Sequence, residues 1–449
     1  MRAFRFLSGC SLLLVILSVL SSCNKEIPIP QTKQQTTTRT EARQLTGVMA
    51  QQSAQRTRGE AVAIAREFLQ GESLNGEMLT NSNSIGVVQF DIDYLIRPKS
   101  NTAGYSQNFI SNFPVDTIFY ILNRKDTKGF FIISGDRRIP ELIAFSDESS
   151  FDRNNVDEKS GISLFLDMLP VYYVQELGIP KLAENIIDDM QLNWKGIGSE
   201  IIFNRWQTTE KTENLIHVTW GQFYPYNKNA PWVDGKKAPA GCVATATAQF
   251  LSAFNYPTTL AGRELNWRLL KTKKTYKKYE GAEKQEFAEQ VAFLFRKIGN
   301  ALNNSWGAEG TGAFTSDIPE VLRGLGYQHT TDLVNYNLPL ILESIKKRSP
   351  AIMSGRRKTA TTTIGHAWLC DGYWKQERMV LEPLYEAKTG SKEERVLLHC
   401  NWGWDGVHNG YFLESVFDTN RPVVSDGDTD ICAGNYAYNI MNIAGTRPR

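Results

Sequence analysis

The residues with the most chemistry to offer are a thiol, an imidazole and two side-chain amides. Cys242 follows Pro239-Ala240-Gly241 and opens the run Val243-Ala-Thr-Ala-Thr-Ala-Gln-Phe-Leu251. Small residues closing on Phe250 and Leu251 predict a buried helix with Cys242 in its first turn. There the unpaired N–H groups and the helix field favour the thiolate, the form that attacks carbonyl carbon. By itself the segment reads equally well as a structural cysteine in an Ala-rich core helix. His366, one of five histidines in the chain, sits in the apolar run Gly365-His-Ala-Trp-Leu-Cys370, ahead of an Asp371-Gly372-Tyr373 turn. A histidine at a strand start after glycine can project into a cleft, although a core histidine bonded to backbone has the same signature. A Cys/His pair needs a third group to hold the ring. Leu397-Leu-His-Cys-Asn401-Trp402-Gly-Trp404 supplies Asn401 as an acceptor, and indoles to exclude water. Upstream, Trp220-Gly-Gln222-Phe-Tyr-Pro-Tyr-Asn227 offers the Gln222 amide as an oxyanion donor beside the Cys242 N–H, or as a plain turn amide.

These residues need a body to position them. The chain has 449 residues, 41% hydrophobic and 22% charged, enough for two or three domains with sizeable cores. Fifty basic against 48 acidic side chains leave +2, which argues against a dedicated nucleic-acid binder. Six dispersed cysteines build neither a disulfide scaffold nor a zinc site, so no metal and no cofactor is implied. Residues 1–23 read as an export signal: Arg2 and Arg5, an apolar stretch over 11–20, then Leu-Ser-Ser-Cys23. Residues 24–59, rich in Gln, Thr and Arg, read as a flexible tether. An α+β unit over 60–205 follows, with a helix over 60–69, strands over 87–96, 117–123, 130–134 and 141–145, a hairpin turn at 126–129, and helices over 162–177 and 182–194. It offers no catalytic group. The polar stretch 196–213 reads as an exposed linker, and the remainder, 206–449, holds all the candidate chemistry.

Four segments in order, WGQ-x-x-PYN, GCVATATAQ, GHAW-x-x-DGY and NWGW-x-G-x-x-NGYF, resemble those of the streptopain family of bacterial cysteine peptidases, family C10. The resemblance implies an α+β fold: a papain-like, cathepsin-type peptidase domain preceded by an inhibitory α+β pro-domain. It implies a cysteine endopeptidase made as a zymogen and activated by loss of that pro-domain. Carried over by motif, Cys242 is the nucleophile, His366 the base and then acid, and Gln222 with the Cys242 N–H the oxyanion hole. Asn401 and Trp402 fall in the segment that orients or shields the histidine. Trp306, Gly307, Gly310, Thr311, Gly312 and Trp404 resemble residues lining the substrate cleft. Protein or peptide substrates and the chain's own pro-domain are the implied partners. Leu-Ser-Ser-Cys23 resembles a lipoprotein processing box, which implies a lipid on Cys23 and a membrane anchor at the cell envelope, in the outer membrane, from which the mature peptidase can be released. Ser425 to Asp430 is acidic where the family often has a glycine-rich loop, and Lys271 to Lys284 reads as a solvated basic loop. The same Cys/His set would serve a cell-wall amide hydrolase or acyltransferase, though no wall-binding module is evident. A decayed surface binding protein would have no use for an intact trio.

Overall fold

The computed structural model describes residues 54–74, 88–96, 116–177, 202–203, 206–358, 363–381, 390–419 and 438–448. The export signal, Cys23, most of the tether, the helix expected over 182–194, Cys432 and the acidic stretch 425–430 lie outside them. Among the described residues no helix is long and apolar enough to cross a membrane.

Upstream of the linker, α1 (Arg58–Leu74) packs on β1 (Phe90–Ile96), β2 (Thr117–Arg124), β3 (Phe130–Ser134) and β4 (Leu142–Ser146), and α2 (Gly161–Leu177) follows. A capping box starts α1: Glu60 accepts from the Thr57 N–H at 2.7 Å, and Thr57 Oγ1 accepts from the Glu60 N–H at 3.3 Å. The β2–β3 turn closes through Gly129 at φ 147°, a conformation that favours glycine. Order begins earlier than composition suggests. Arg56, placed by composition in the tether, is buried and donates to the carbonyls of Ser134 and Asp136 at 2.8 and 2.9 Å. A polar, arginine-bearing stretch docks here because it satisfies backbone carbonyls at a strand end, a role that hydrophobicity does not register.

Downstream lie β5 (Gln207–Lys211), α3 (Cys242–Phe254), α4 (Gly281–Ala301), α5 (Leu338–Lys346), β6 (Ala351–Lys358), β7 (Thr363–Leu381), β8 (Gly390–Asn401), β9 (Gly410–Leu413) and β10 (Tyr438–Ile443). One antiparallel sheet runs β1-β2-β3-β4-β9-β8-β7-β6-β10, with β5 paired to β7 off that path. It crosses the boundary between the two parts: Phe145 opposes Tyr411 and Ala144 opposes Phe412. Residues 50–449 accordingly form one compact unit. One hydrophobic cluster is shared, joining Phe131, Phe145 and Phe165 to Trp368, Trp402, Phe412 and Phe417. A second lies wholly downstream, around α3 and α4.

Three expectations need correction. Lys271 to Lys284 is no simple solvated loop: Lys271 and Thr272 end a short helix (Trp267–Thr272), Tyr279 is buried with its hydroxyl donating to the Leu269 carbonyl at 2.6 Å, and Gly281 opens α4. Asp371-Gly372-Tyr373 is no turn; it lies inside β7, where the register slips between Cys370 and Gly372. Gly372 suits a bulge because a Cβ there would come within 2.5 Å of Asn214 Oδ1, and Asp371 is tied by accepting from the Ile216 N–H at 2.9 Å. The last part of the expected linker is a strand: β5 is mostly exposed yet pairs with β7, and Thr208 Oγ1 accepts from Trp374 Nε1 at 2.9 Å.

Candidate active site

Cys242 is the first residue of α3, and Gly241 before it has φ 89°. A Cβ at Gly241 would stand 2.9 Å from the Thr311 carbonyl oxygen, so sterics and backbone conformation both demand glycine. The small residues that follow are buried, which lets α3 pack closely against β7. His366 projects from the start of β7, also buried. Its Nε2 lies 2.9 Å from the Trp402 carbonyl oxygen. A carbonyl only accepts, so Nε2 carries the proton and Nδ1 is the basic nitrogen. Nδ1 is buried without a conventional hydrogen-bond partner. Burial alone would push the Cys242 thiol up; the neighbouring His366, whose charged form favours a thiolate, outweighs that and holds the thiol below its ordinary range. Cys242, Cys370 and Cys400 are all free thiols, the last two directly opposed across β7 and β8.

Gln222 is buried, and its carbonyl accepts from the Ala240 N–H at 2.8 Å, which fixes it two residues ahead of the thiol. Thr311 Oγ1 donates to the Pro239 carbonyl at 2.7 Å and Asn304 Nδ2 to the Ala240 carbonyl at 3.1 Å. The loop they pin is a tight hairpin, with Ser305 and Gly312 exchanging backbone bonds of 2.8 and 3.0 Å. Thr311 and Gly312 therefore flank the α3 start. Trp306 turns away, against Gly299 of α4 and 5.1 Å from Arg296. Gly307 closes the hairpin, since a Cβ there would meet the Gly310 carbonyl at 2.6 Å. Trp404 is half-buried, its ring 6.3 Å from that of Phe223, next to Gln222.

The two candidates for holding the histidine separate. Trp402 supplies the carbonyl, and is itself fixed by bonds from its N–H to Asn409 Oδ1 and from its indole to the His408 carbonyl, both 3.0 Å. Asn401 bonds elsewhere: its Nδ2 donates to the Val218 carbonyl at 3.0 Å and to Gln249 Oε1 at 3.2 Å, and its Oδ1 accepts from Gln249 Nε2 at 3.3 Å. Gln249 Oε1 also accepts from the Trp220 N–H at 2.9 Å. Sequence reasoning quoted Gln249 in a motif and gave it no role; a long amide inside a helix of small and apolar residues was the available signal. It also missed Gly161 and Lys159. Gly161 opens α2 against both rings: a Cβ there would lie 2.3 Å from Trp402 Cε3 and 2.6 Å from His366 Cδ2. Lys159 Nζ donates to the Glu309 carbonyl, on the Thr311 hairpin, at 2.9 Å. The upstream part thus lies over the cleft. Among the described residues no group of three or more His, Cys, Asp or Glu is placed to hold a metal ion.

Residues 220–412 match the Peptidase C10 family, and residues 50–170 match the Spi protease inhibitor. The chain is a cysteine-type peptidase, with an α+β papain-like catalytic domain and an N-terminal inhibitory region. Its homology is to peptidase family C10. Streptopain of Streptococcus pyogenes is 25% identical over 330 residues, 64% of this chain and 71% of that protein. The thiol protease/hemagglutinin of Porphyromonas gingivalis is 24% identical over 379 residues, covering 78% of this chain and 39% of its own length. Among solved structures, a prointerpain A fragment of Prevotella intermedia aligns at TM-score 0.48 and 21% identity, over 79% of this chain and 98% of the fragment.

Proposed function

We propose that the chain is a zymogen of a cysteine endopeptidase of the papain-like, cathepsin type, working through a thioester on Cys242. His366 Nδ1 takes the thiol proton and the thiolate attacks a peptide carbonyl. The Cys242 N–H and the Gln222 amide hold the oxyanion. His366 then protonates the departing amine, and water, deprotonated by His366, hydrolyses the thioester. Trp402 orients the imidazole through its carbonyl. Asn401 acts one step back, through Gln249. Thr311 and Gly312 are the best candidates for substrate contact, with Trp404 on the Gln222 side. The observation that carries this reading is the Nε2–Trp402 bond, which leaves the basic nitrogen for a thiol already held low.

Activation removes the upstream part. A cut upstream of Gln207 suits the strand pairing of β5, which stays with the catalytic part. The expected linker begins at 196, and Ile202 and Phe203 already pair with Leu381 and Val380 of β7, so the bond falls between about 194 and 201. Export and lipidation at Cys23, with placement at the cell envelope, complete the proposal on the strength of the processing box alone. The test is casein hydrolysis by purified protein before and after shortening, with E-64 as thiol reagent. Activity that needs shortening and disappears with E-64 or Cys242→Ala supports the reading. Hydrolysis unaffected by either reagent or substitution sinks it.

A further inference from the structure

Just ahead of β4 the upstream part inserts a carboxylate into the catalytic part. Glu141 accepts from Arg378 Nη1 at 3.2 Å, from Arg395 Nη1 at 3.3 Å, and from the indole of Trp206. The receiving site is built from downstream residues. The Arg395 side chain is 4% exposed, its Nε donating to Gln376 Oε1 at 2.8 Å, while Arg378 Nε donates to Glu393 at 2.7 Å. Both guanidiniums cover the Trp206 ring, at 4.1 and 4.5 Å. Stacked, bonded arginines are preorganised for a planar carboxylate. Burial pushes the Glu141 carboxyl up, yet Arg395 and Arg378 hold it below its ordinary value, so it is seated as the anion. The chain then continues as an extended segment along β9: Ala144 opposes Phe412, Phe145 opposes Tyr411, and Ser146 Oγ donates to the Asn409 carbonyl at 2.6 Å.

We propose that the mature peptidase carries a substrate exosite along β9 and the Arg378–Arg395 pair, which takes an extended protein segment bearing an acidic residue and is filled in the uncut chain by Glu141–Ser146. The inference rests on the maturation reading above. Departure of the upstream part takes the Glu141 carboxylate away from buried Arg395 and half-buried Arg378, and frees the β9 edge for another strand. A preorganised guanidinium pair that has given up a carboxylate, beside open backbone groups, selects for an incoming strand with a carboxylate at its start. The strip begins at Asn409, whose Oδ1 fixes the Trp402 N–H, so it adjoins the catalytic wall without being part of it.

The experiment starts from full-length protein allowed to mature, then alkylated at Cys242 and freed of the upstream part by size exclusion. Its probe is a blocked peptide spanning Pro140–Asp147, compared with the same peptide carrying Glu141→Gln. The expected result is saturable binding that weakens with added salt and at least about tenfold for the Gln peptide, as for a lost buried charge pair. With unalkylated enzyme, the peptide should slow hydrolysis of an acidic protein substrate and spare a short fluorogenic one. Arg395→Gln should abolish peptide binding while leaving short-substrate turnover unchanged. Equal affinity of the two peptides, or no binding to enzyme that has demonstrably shed its upstream part, overturns the exosite. A chain that becomes fully active without ever shedding that part overturns the maturation reading instead, and the exosite with it.

Discussion

Gly161 offers a direct way to ask whether the upstream part silences the enzyme by pressing on His366. The perturbation is Gly161→Val. A Cβ there would overlap Trp402 Cε3 at 2.3 Å and His366 Cδ2 at 2.6 Å. Neither ring yields easily: Trp402 is held at both its nitrogens and packed 5.0 Å from Phe412 and 5.3 Å from Trp368, and His366 is bonded to the Trp402 carbonyl. The start of α2 must therefore retreat. Overpacking of this kind costs about 1–3 kcal/mol, against a few tenths regained from the better helix propensity of Val over Gly. At about 1.4 kcal/mol per decade, the net cost lowers the population of the closed state of the uncut chain roughly 3- to 90-fold relative to the open one. The assay is the initial rate of full-length protein on a short fluorogenic peptide, with a gel at each time point to show that the chain is still uncut. The variant should be faster by that factor while uncut, and identical to wild type after maturation, because residue 161 has then left. An uncut variant as silent as wild type, with an unchanged unfolding temperature, would refute the contact as the source of inhibition.

Cys242→Ala should fold, show no hydrolysis, and accumulate at full length if the cut is autocatalytic; gels and unfolding curves check both. Gln222→Ala should lower kcat by about a hundred- to a thousandfold, the usual loss of one oxyanion donor, and wild-type kcat would remove Gln222 from the mechanism. Gln249→Leu should lower kcat more than it raises KM and move the acid limb of the pH–rate profile, since it loosens both Trp220 and Asn401; a change in unfolding temperature alone would mark it as merely structural. His408 lies under Phe151 of the upstream part, ring centroids 4.7 Å apart, and burial pushes it down to about 4 against a smaller opposing pull from Asp152. A histidine depressed in the folded state stabilises above its unfolded pKa of about 6.5, and that contribution falls away as pH drops towards 4, in all on the order of 3 kcal/mol. Unfolding of the full-length Cys242→Ala protein should therefore be acid-sensitive between about pH 6.5 and 4, and His408→Asn, an asparagine being tolerated at its φ of 63°, should flatten that dependence.

Much of the site could be read from the sequence because its constraints are local. Gly241 must precede Cys242 for steric reasons, and a small-residue helix with a thiol in its first turn is visible as a pattern. The same holds for Gly365-His366 at the start of an apolar strand, and for the strands over 117–123 and 130–134 with their Gly129 turn. What stayed hidden depends on residues far apart in the chain. Composition marks 206–213 as polar and exposed, and it is mostly exposed, but whether an exposed stretch is linker or sheet edge depends on β7, more than 150 residues later. Asp371-Gly372 is a turn signature by type; only Ile216 and Asn214, arriving from elsewhere, make it a bulge inside a strand. Arg56, read as tether, and Glu141, read only as the start of a strand, hid their roles because their partners are strand-end carbonyls and arginines on the other part of the molecule.

The position of Asn401 carries the argument one step further. Motif order suggests an amide acting on the imidazole, yet it is a main-chain carbonyl, that of Trp402, which reaches Nε2. A carbonyl is a stricter positioner than a flipping amide, since it can only accept and so admits only one neutral tautomer. Its direction is set by the chain on either side, so something must hold that chain. Asn401 does so from one side through Val218 and Gln249, and Asn409 from the other through the Trp402 N–H. Gln249 stands two turns into the helix that begins at Cys242, and its oxygen also receives the Trp220 N–H, two residues before Gln222. One buried amide pair thus ties together the segments that bear the thiol, Gln222 and the histidine's acceptor. The upstream part adds its own contacts at the edges of this frame, on the two rings through Gly161 and on the Thr311 hairpin through Lys159, while the hydrogen bonds of the Gln249–Asn401 pair beneath, among the described residues, all run to the downstream part. Removing it should therefore uncover a site whose geometry is already set.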